Sequence, residues 1–155
     1  HTEVKDPYYT WYNDEAVCRR ILSAFGLDSP EAHIINGHTP IHVSSGESPV
    51  KANGRLIVID GGFCKAYQKA TGIAGYTLIS NSHGLRIVAH HPFSSLTRVL
   101  DANDDIHSDS QILWQNRRRC LVADTDNGRQ IQQRIRTLEE LLNAYRSGLL
   151  TPRGE

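Results

Sequence analysis

Two short stretches hold the residue types best suited to chemistry. The first, Gly37-His38-Thr39-Pro40, follows the β-type run His33-Ile34-Ile35-Asn36. A strand that breaks into Gly-His places an imidazole on a tight loop at the carboxyl end of a sheet, where ligand sites of α/β proteins gather. Glycine lets the backbone approach closely, and proline stiffens the exit. An imidazole held there is suited to bind a metal ion, although a Gly-His pair in an arbitrary loop is equally a surface histidine. The second stretch opens with Asp60-Gly61-Gly62, where the apolar run Leu56-Ile57-Val58-Ile59 ends in a carboxylate and two glycines. Lys65, Tyr67 and Lys69 follow, and these side chains can contact a phosphate or a sugar hydroxyl. A Gly-Gly turn into a solvated helix would have the same composition. Lys51, in the run Lys51-Ala52-Asn53-Gly54-Arg55, is open to the same two readings.

The other histidines point to structure. His90 and His91 are adjacent in a β-type run, so they face opposite sides and cannot easily share one ion. His42 reads as a surface residue, and His33, His83 and His107 have no partner visible in the sequence.

Several function classes are excluded. Seventeen basic residues balance seventeen acidic ones, so the basic excess that drives non-specific binding to nucleic acid or anionic membrane is missing. Arg117-Arg118-Arg119 then reads as a solvated face. No apolar run approaches the ~20 residues of a membrane span, and no nucleophile elbow, phosphate-binding P-loop or dinucleotide fingerprint is present. Cys18, Cys64 and Cys120 are odd in number and far apart, which argues against a disulfide framework or structural zinc. A reducing, cytoplasmic setting is expected. The sequence contains no methionine, and the expectation is a piece of a longer protein.

The elements that must carry these loops are readable from pattern. Residues 1 to 12, rich in tyrosine, form an entry segment that packs on something. Asn13 reads as an N-cap, with Asp14 and Glu15 in the first turn and Val17, Ile21 and Phe25 on one helical face that stops at Gly26. Residues 44 to 54 read as loop, and Leu56 to Ile59 as a strand covered on both faces. Tyr76–Ser80 and Leu85–His90 flank Asn81-Ser82-His83-Gly84, the pattern of a β-hairpin with a four-residue turn. Residues 94 to 104 are helical or irregular, and Ile112-Leu113-Trp114 adds an edge strand. From Asp126 to Arg146, the residues Ile131, Ile135, Leu138, Leu142 and Tyr145 mark one helical face, ended by Gly148. Sheet in the middle and helices at the ends make an α/β or α+β arrangement, with a core over residues 13–93 and a helical extension over 94–150.

The stretch from His33 to Phe93 resembles the class III (Firmicutes-type) fructose-1,6-bisphosphatases, which are calcineurin-like metallophosphoesterases. The likeness lies in His33 to Pro40, Gly46-Glu47-Ser48-Pro49-Val50-Lys51-Ala52-Asn53-Gly54, Ile57 to Phe63, Lys65-Ala66-Tyr67-Gln68-Lys69 and Thr71 to Leu78. It extends more faintly through both terminal helices. The resemblance implies the C-terminal part of a four-layer α/β/β/α catalytic domain in which two manganese ions share a phosphate. The implied reaction is hydrolysis of the 1-phosphate of fructose 1,6-bisphosphate, in gluconeogenesis. By likeness, His38 matches the last metal-binding histidine of the superfamily. Asp60 and Lys65 fall beside it, with Asp60 the candidate catalytic carboxylate and Lys51, Lys65 and Tyr67 the candidates for substrate contact.

The superfamily's Asp-x-His, Gly-Asp-x-x-Asp-Arg-Gly and Gly-Asn-His-Glu motifs, which supply most metal ligands, are absent. The chain alone is therefore expected neither to bind two metals tightly nor to turn over substrate. The missing N-terminal part of the same chain is the partner implied, and self-association through an exposed sheet edge is a further expectation. Two alternatives share these residues: a calcineurin-like phosphoesterase of the protein-phosphatase or dinucleoside-polyphosphate hydrolase type, and a non-catalytic binding or regulatory domain.

Overall fold

Leu56, Ile57 and Val58 carry no polar side chain, so a strand made of them must be covered on both faces. The structure, a computed structural model, describes Val4 and residues 6–151. All three residues are buried in it, and the surrounding elements follow from that demand. Two helices come first, α1 (Tyr8–Trp11) and α2 (Glu15–Ala24). Strand β1 (Ile34–Asn36) then runs parallel to β3 (Leu56–Val58), while β2 (Val50–Lys51) lies antiparallel on the other side of β3. The short helix α3 (Gln68–Thr71) leads into β4 (Gly75–Asn81) and β5 (Gly84–His90). After α4 (Leu96–Ala102), β6 (Ser108–Gln115) completes an antiparallel sheet in the order β4-β5-β6. Helices with one mixed and one antiparallel sheet agree with the expected α/β class. Both sheets feed one core of Cys18, Ile41, Leu56, Ile57, Val58, Ile73, Tyr76 and Ile87, against which Tyr8 and Tyr12 pack. The entry segment thus packs on the core through Tyr8 and Tyr12, and its residues 1–3 and 5 lie outside the described residues.

Several boundaries differ from the sequence reading, each for a physical reason. Asp14, not Asn13, caps α2: its backbone is extended, and its carboxylate accepts from the N–H groups of Ala16 (2.8 Å) and Val17 (3.3 Å). An ionised cap also gains from the helix dipole. The buried stripe of α2 is Cys18 and Leu22, and Phe25 is 78% exposed. Val17 and Ile21 instead line an open groove of about 850 Å³ with Trp11, Arg20 and Ala24. The segment 44–54 is not plain loop, because Val50 and Lys51 pair with Ile57 and Leu56. A strand of two residues has no periodicity to read.

The hairpin turn is two residues, Ser82-His83, since pairing continues to Asn81 and Gly84. The Asn81 side chain accepts from the His83 N–H at 2.8 Å. Gly84 sits at φ +144°, and a Cβ there would meet the Trp114 carbonyl oxygen at 2.1 Å. Only glycine allows β6 to lie this close. Because β6 pairs with β5 along its length, the first compact unit extends to Gln115 rather than ending at residue 93.

The second unit begins at Asn116. A 3₁₀ turn at Val122–Asp124 leads into α5 (Asp126–Arg146), whose N-cap Thr125 accepts from the Gly128 N–H at 3.1 Å. Gly148, at φ +75°, follows the last turn as expected. The apolar face of α5 is exposed. Among the described residues no helix is long and apolar enough to cross a membrane.

Truncating Ile57, which has no exposed surface, should cost about 2–5 kcal/mol. Ile112→Ala, at a site 63% exposed, should stay within about 0.5 kcal/mol. Urea denaturation of the two variants checks this.

Candidate functional site

The parallel pair β1–β3 ends by sending two loops out side by side. Asn36 pairs with Val58, and the Ile59 N–H donates to the Asn36 carbonyl at 2.8 Å. The chain then leaves as Gly37-His38-Thr39-Pro40 and returns at Ile41, whose N–H donates to the Asp60 carbonyl at 2.8 Å. The two backbone hydrogen bonds clamp the four-residue loop at both feet, and Ile41, 1% exposed, anchors its end in the core. His38 lies on that loop, exposed, with φ +66°. A histidine in the left-handed region is uncommon, and such backbone strain concentrates at functional loops. The Thr39 hydroxyl reaches Tyr9 of α1 at 3.2 Å.

The second loop is shaped around Asp60, half-buried, whose Oδ1 accepts from the Gly62 N–H at 2.9 Å. One carboxylate oxygen is thus taken by the turn, which orients the other. A Cβ at Gly61 would meet Ile73 at 2.6 Å, and Gly62 sits at φ +68° against Tyr67. The backbone must pass here without side chains, and the turn carries the chain straight to Lys65 and Tyr67, both exposed. His38 and Asp60 are therefore held on adjacent loops at the carboxyl ends of neighbouring parallel strands, where the α/β rule places a ligand crevice.

Lys51 is placed elsewhere. It pairs with Leu56, at the opposite end of β3 from Asp60. The residue is 8% exposed, with its Nζ donating to Glu47 Oε1 at 2.7 Å and lying 4.7 Å from the centre of the Tyr12 ring. Burial works to lower the pKa of this ammonium, but the hydrogen bond to Glu47 and the contact with Tyr12 outweigh it, and the net direction is upward. Burial likewise works to raise Glu47. The His42 N–H at 3.0 Å, Lys51 and the Tyr12 hydroxyl outweigh it and hold the carboxyl below its ordinary range. Burial and the Glu47 charge push the Tyr76 hydroxyl up. Glu47 is the hub that sequence reasoning missed. Its spacing to Lys51 was visible, but outside a helix that spacing predicts no contact.

Four other histidines have polar partners. The His90 ring lies 2.8 Å from the Thr77 hydroxyl and 2.9 Å from the Ser108 hydroxyl, and His91 meets Asp109 at 2.8 Å. His33 Nδ1 lies 2.8 Å from the Gly54 carbonyl, and His107 lies 3.4 Å from Asp104.

The residues present do not make a resident manganese centre. Among the described residues no group of three or more His, Cys, Asp or Glu side chains is gathered to hold an ion. The buried polar atom left without a hydrogen-bond partner among them is Asn36 Nδ2, at the root of the His38 loop. An amide N–H calls for an acceptor and does not bind a cation.

A pair of parallel strands thus ends in a Gly-His loop and an Asp-Gly-Gly loop, and comparison with known proteins gives the family of the chain. The model of the family described as Firmicute fructose-1,6-bisphosphatase matches residues 1–147, and the chain belongs to that family. The chain is 52% identical, over all 155 residues, to the fructose-1,6-bisphosphatase class 3 of Clostridium botulinum strain Hall. It is 52% identical over 150 residues to the protein of that name from Clostridium tetani, and 54% identical over 150 residues to fructose-1,6-bisphosphatase class 3 1 of Clostridium beijerinckii. The match covers 100% of the chain in the first case and 97% in the others, but only 23% of each relative's length. No solved structure matches the chain.

The Glu47–Lys51 pair gives a pH prediction. Glu47 is held below its ordinary 4.5 in the folded chain, so its stabilisation is present above that pH and is lost as pH falls through the folded value. The urea midpoint of Glu47→Gln should lie below that of the unsubstituted chain near neutrality, and the two should converge in acid once the pH has fallen below the lowered folded value of Glu47. Midpoints measured across that range check it.

Proposed function

We propose that this chain is one segment of an enzyme that removes the 1-phosphate of fructose 1,6-bisphosphate, giving fructose 6-phosphate and phosphate. The observation that carries the reading is the match along almost the whole chain to proteins named for this reaction, with His38 and Asp60 sitting on adjacent clamped loops. The names of those relatives favour this substrate over a phosphoprotein or a dinucleoside polyphosphate.

Within the whole protein, we assign His38 as one donor to a divalent ion, with manganese the expected metal and the other donors supplied from outside this chain. Asp60 is the candidate carboxylate beside it, oriented by the Gly62 N–H. Lys65 and Tyr67, exposed on the segment leaving the Gly-Gly turn, are the groups we assign to phosphate or sugar contact. An ammonium acts there as a point charge and a phenol as a directed hydrogen-bond donor. Lys51 acts through position: its pairing with Glu47 braces the segment between Ile41 and β2. The complete catalytic domain is proposed to be a four-layer α/β/β/α sandwich in a cytoplasmic enzyme of gluconeogenesis.

Manganese-dependent phosphate release from fructose 1,6-bisphosphate tests the assignment. The full-length protein should be active, its His38→Ala variant should lose at least about 100-fold, since even groups that merely support metal ligands cost 10–100-fold, and the 155-residue chain should be silent. Turnover by the chain itself would overturn the reading, as would an active His38→Ala variant.

A further inference from the structure

α5 is long, and its apolar residues have no cover in its own unit. Ile131, Ile135, Leu138, Leu142 and Tyr145 recur at alternating intervals of four and three, and all are exposed. Its first turn packs on the Val122–Asp124 turn, with Gly128 against the Val122 carbonyl. Beyond that turn the helix presents an unbroken seam, and most helical stability in proteins comes from packing such a face.

The period is informative. Alternating intervals of four and three give 3.5 residues per turn, the repeat of a left-handed two-stranded coiled coil. On that repeat Ile135 and Leu142 occupy a, and Ile131, Leu138 and Tyr145 occupy d. The central pair, Ile135 at a and Leu138 at d, is the combination that favours parallel dimers. Arg134 then falls at g and Glu139 at e, flanking the seam.

The charges flanking the seam are complementary to a second copy of the same helix. In a parallel, in-register pair of helices each g residue meets the e residue five positions later on the second helix, so Arg134 of one copy meets Glu139 of the other, twice by symmetry. The antiparallel registers that align the apolar layers do worse. They set Arg134 against Leu141 and Glu139 against Gln132, or bring Arg134 or Glu139 against its own equivalent. Both residues are exposed, and neither is in an ion pair among the described residues. We propose that α5 is a parallel coiled-coil seam that joins two copies of this chain through Ile131, Ile135, Leu138, Leu142 and Tyr145, with register set by Arg134 and Glu139.

Sedimentation equilibrium of the 155-residue chain over a dilution series tests this. The mass should rise with concentration from 17.3 kDa towards twofold. Leu138→Glu, a charge at a central d position, should hold it at the single-chain value. Arg134→Glu alone should weaken the dimer by setting like charges together, and Arg134→Glu combined with Glu139→Arg should restore it. Both substitutions lie on the helix surface, so the swap reads the interface even if Leu138→Glu disturbs folding. With Cys64 and Cys120 changed to Ser, Leu138→Cys should cross-link to itself on oxidation, as a parallel register requires. A chain that stays at 17.3 kDa throughout would overturn the proposal. So would a dimer indifferent to Leu138→Glu, a charge swap that fails to restore association, or a Leu138→Cys chain that does not cross-link.

Discussion

The structure depends on the burial of a single short strand. Leu56, Ile57 and Val58 are at most 1% exposed, and a backbone that deep must have its hydrogen bonds met by neighbours on both edges. β1 supplies one edge and β2 the other. Because β1 runs parallel to β3, the two chains leave in the same direction and their loops emerge together. Because β2 runs antiparallel, its partner residues fall at the far end. The directions of the strands alone therefore separate His38 and Asp60 from Lys51.

The same logic explains how a lysine can be buried here. An ammonium removed from water is costly unless it is paired and its hydrogens are taken. Glu47 and the Tyr12 ring do this for Lys51, and the His42 N–H completes the coordination of Glu47. The cluster ties the entry helices to the sheet through Tyr12. The loops that carry His38 and Asp60 are thereby mounted on a braced frame, while the exposed side chains Lys65 and Tyr67 remain at its edge.

Much of this was legible in the sequence, for identifiable reasons. The uninterrupted apolar run Leu56–Ile59 announced a buried strand, and Asp60-Gly61-Gly62 announced its end. The helical period from Ile131 to Tyr145 marked α5 along its whole length. Other features were hidden by the limits of local pattern. β2 is too short to show alternation, and its existence depends on β3. The cap of α2 differed by one residue because Asn13 and Asp14 are both good caps, and the backbone at Asp14 decides. The Glu47–Lys51 pair depends on tertiary folding of a non-helical segment. The expectation that metal donors lie outside this chain rests on the missing motifs, which are a property of the sequence alone.

The most direct test is to titrate the 155-residue chain with a divalent ion and follow the backbone amides by nuclear magnetic resonance, with manganese broadening as the readout. The expected result is weak binding that stays unsaturated into the millimolar range, with broadening confined to Gly37–Thr39 and Asp60–Gly62. Tight binding of two ions per chain, or broadening centred on His83 or on His90 and His91, would contradict the placement of the site on the β1 and β3 loops.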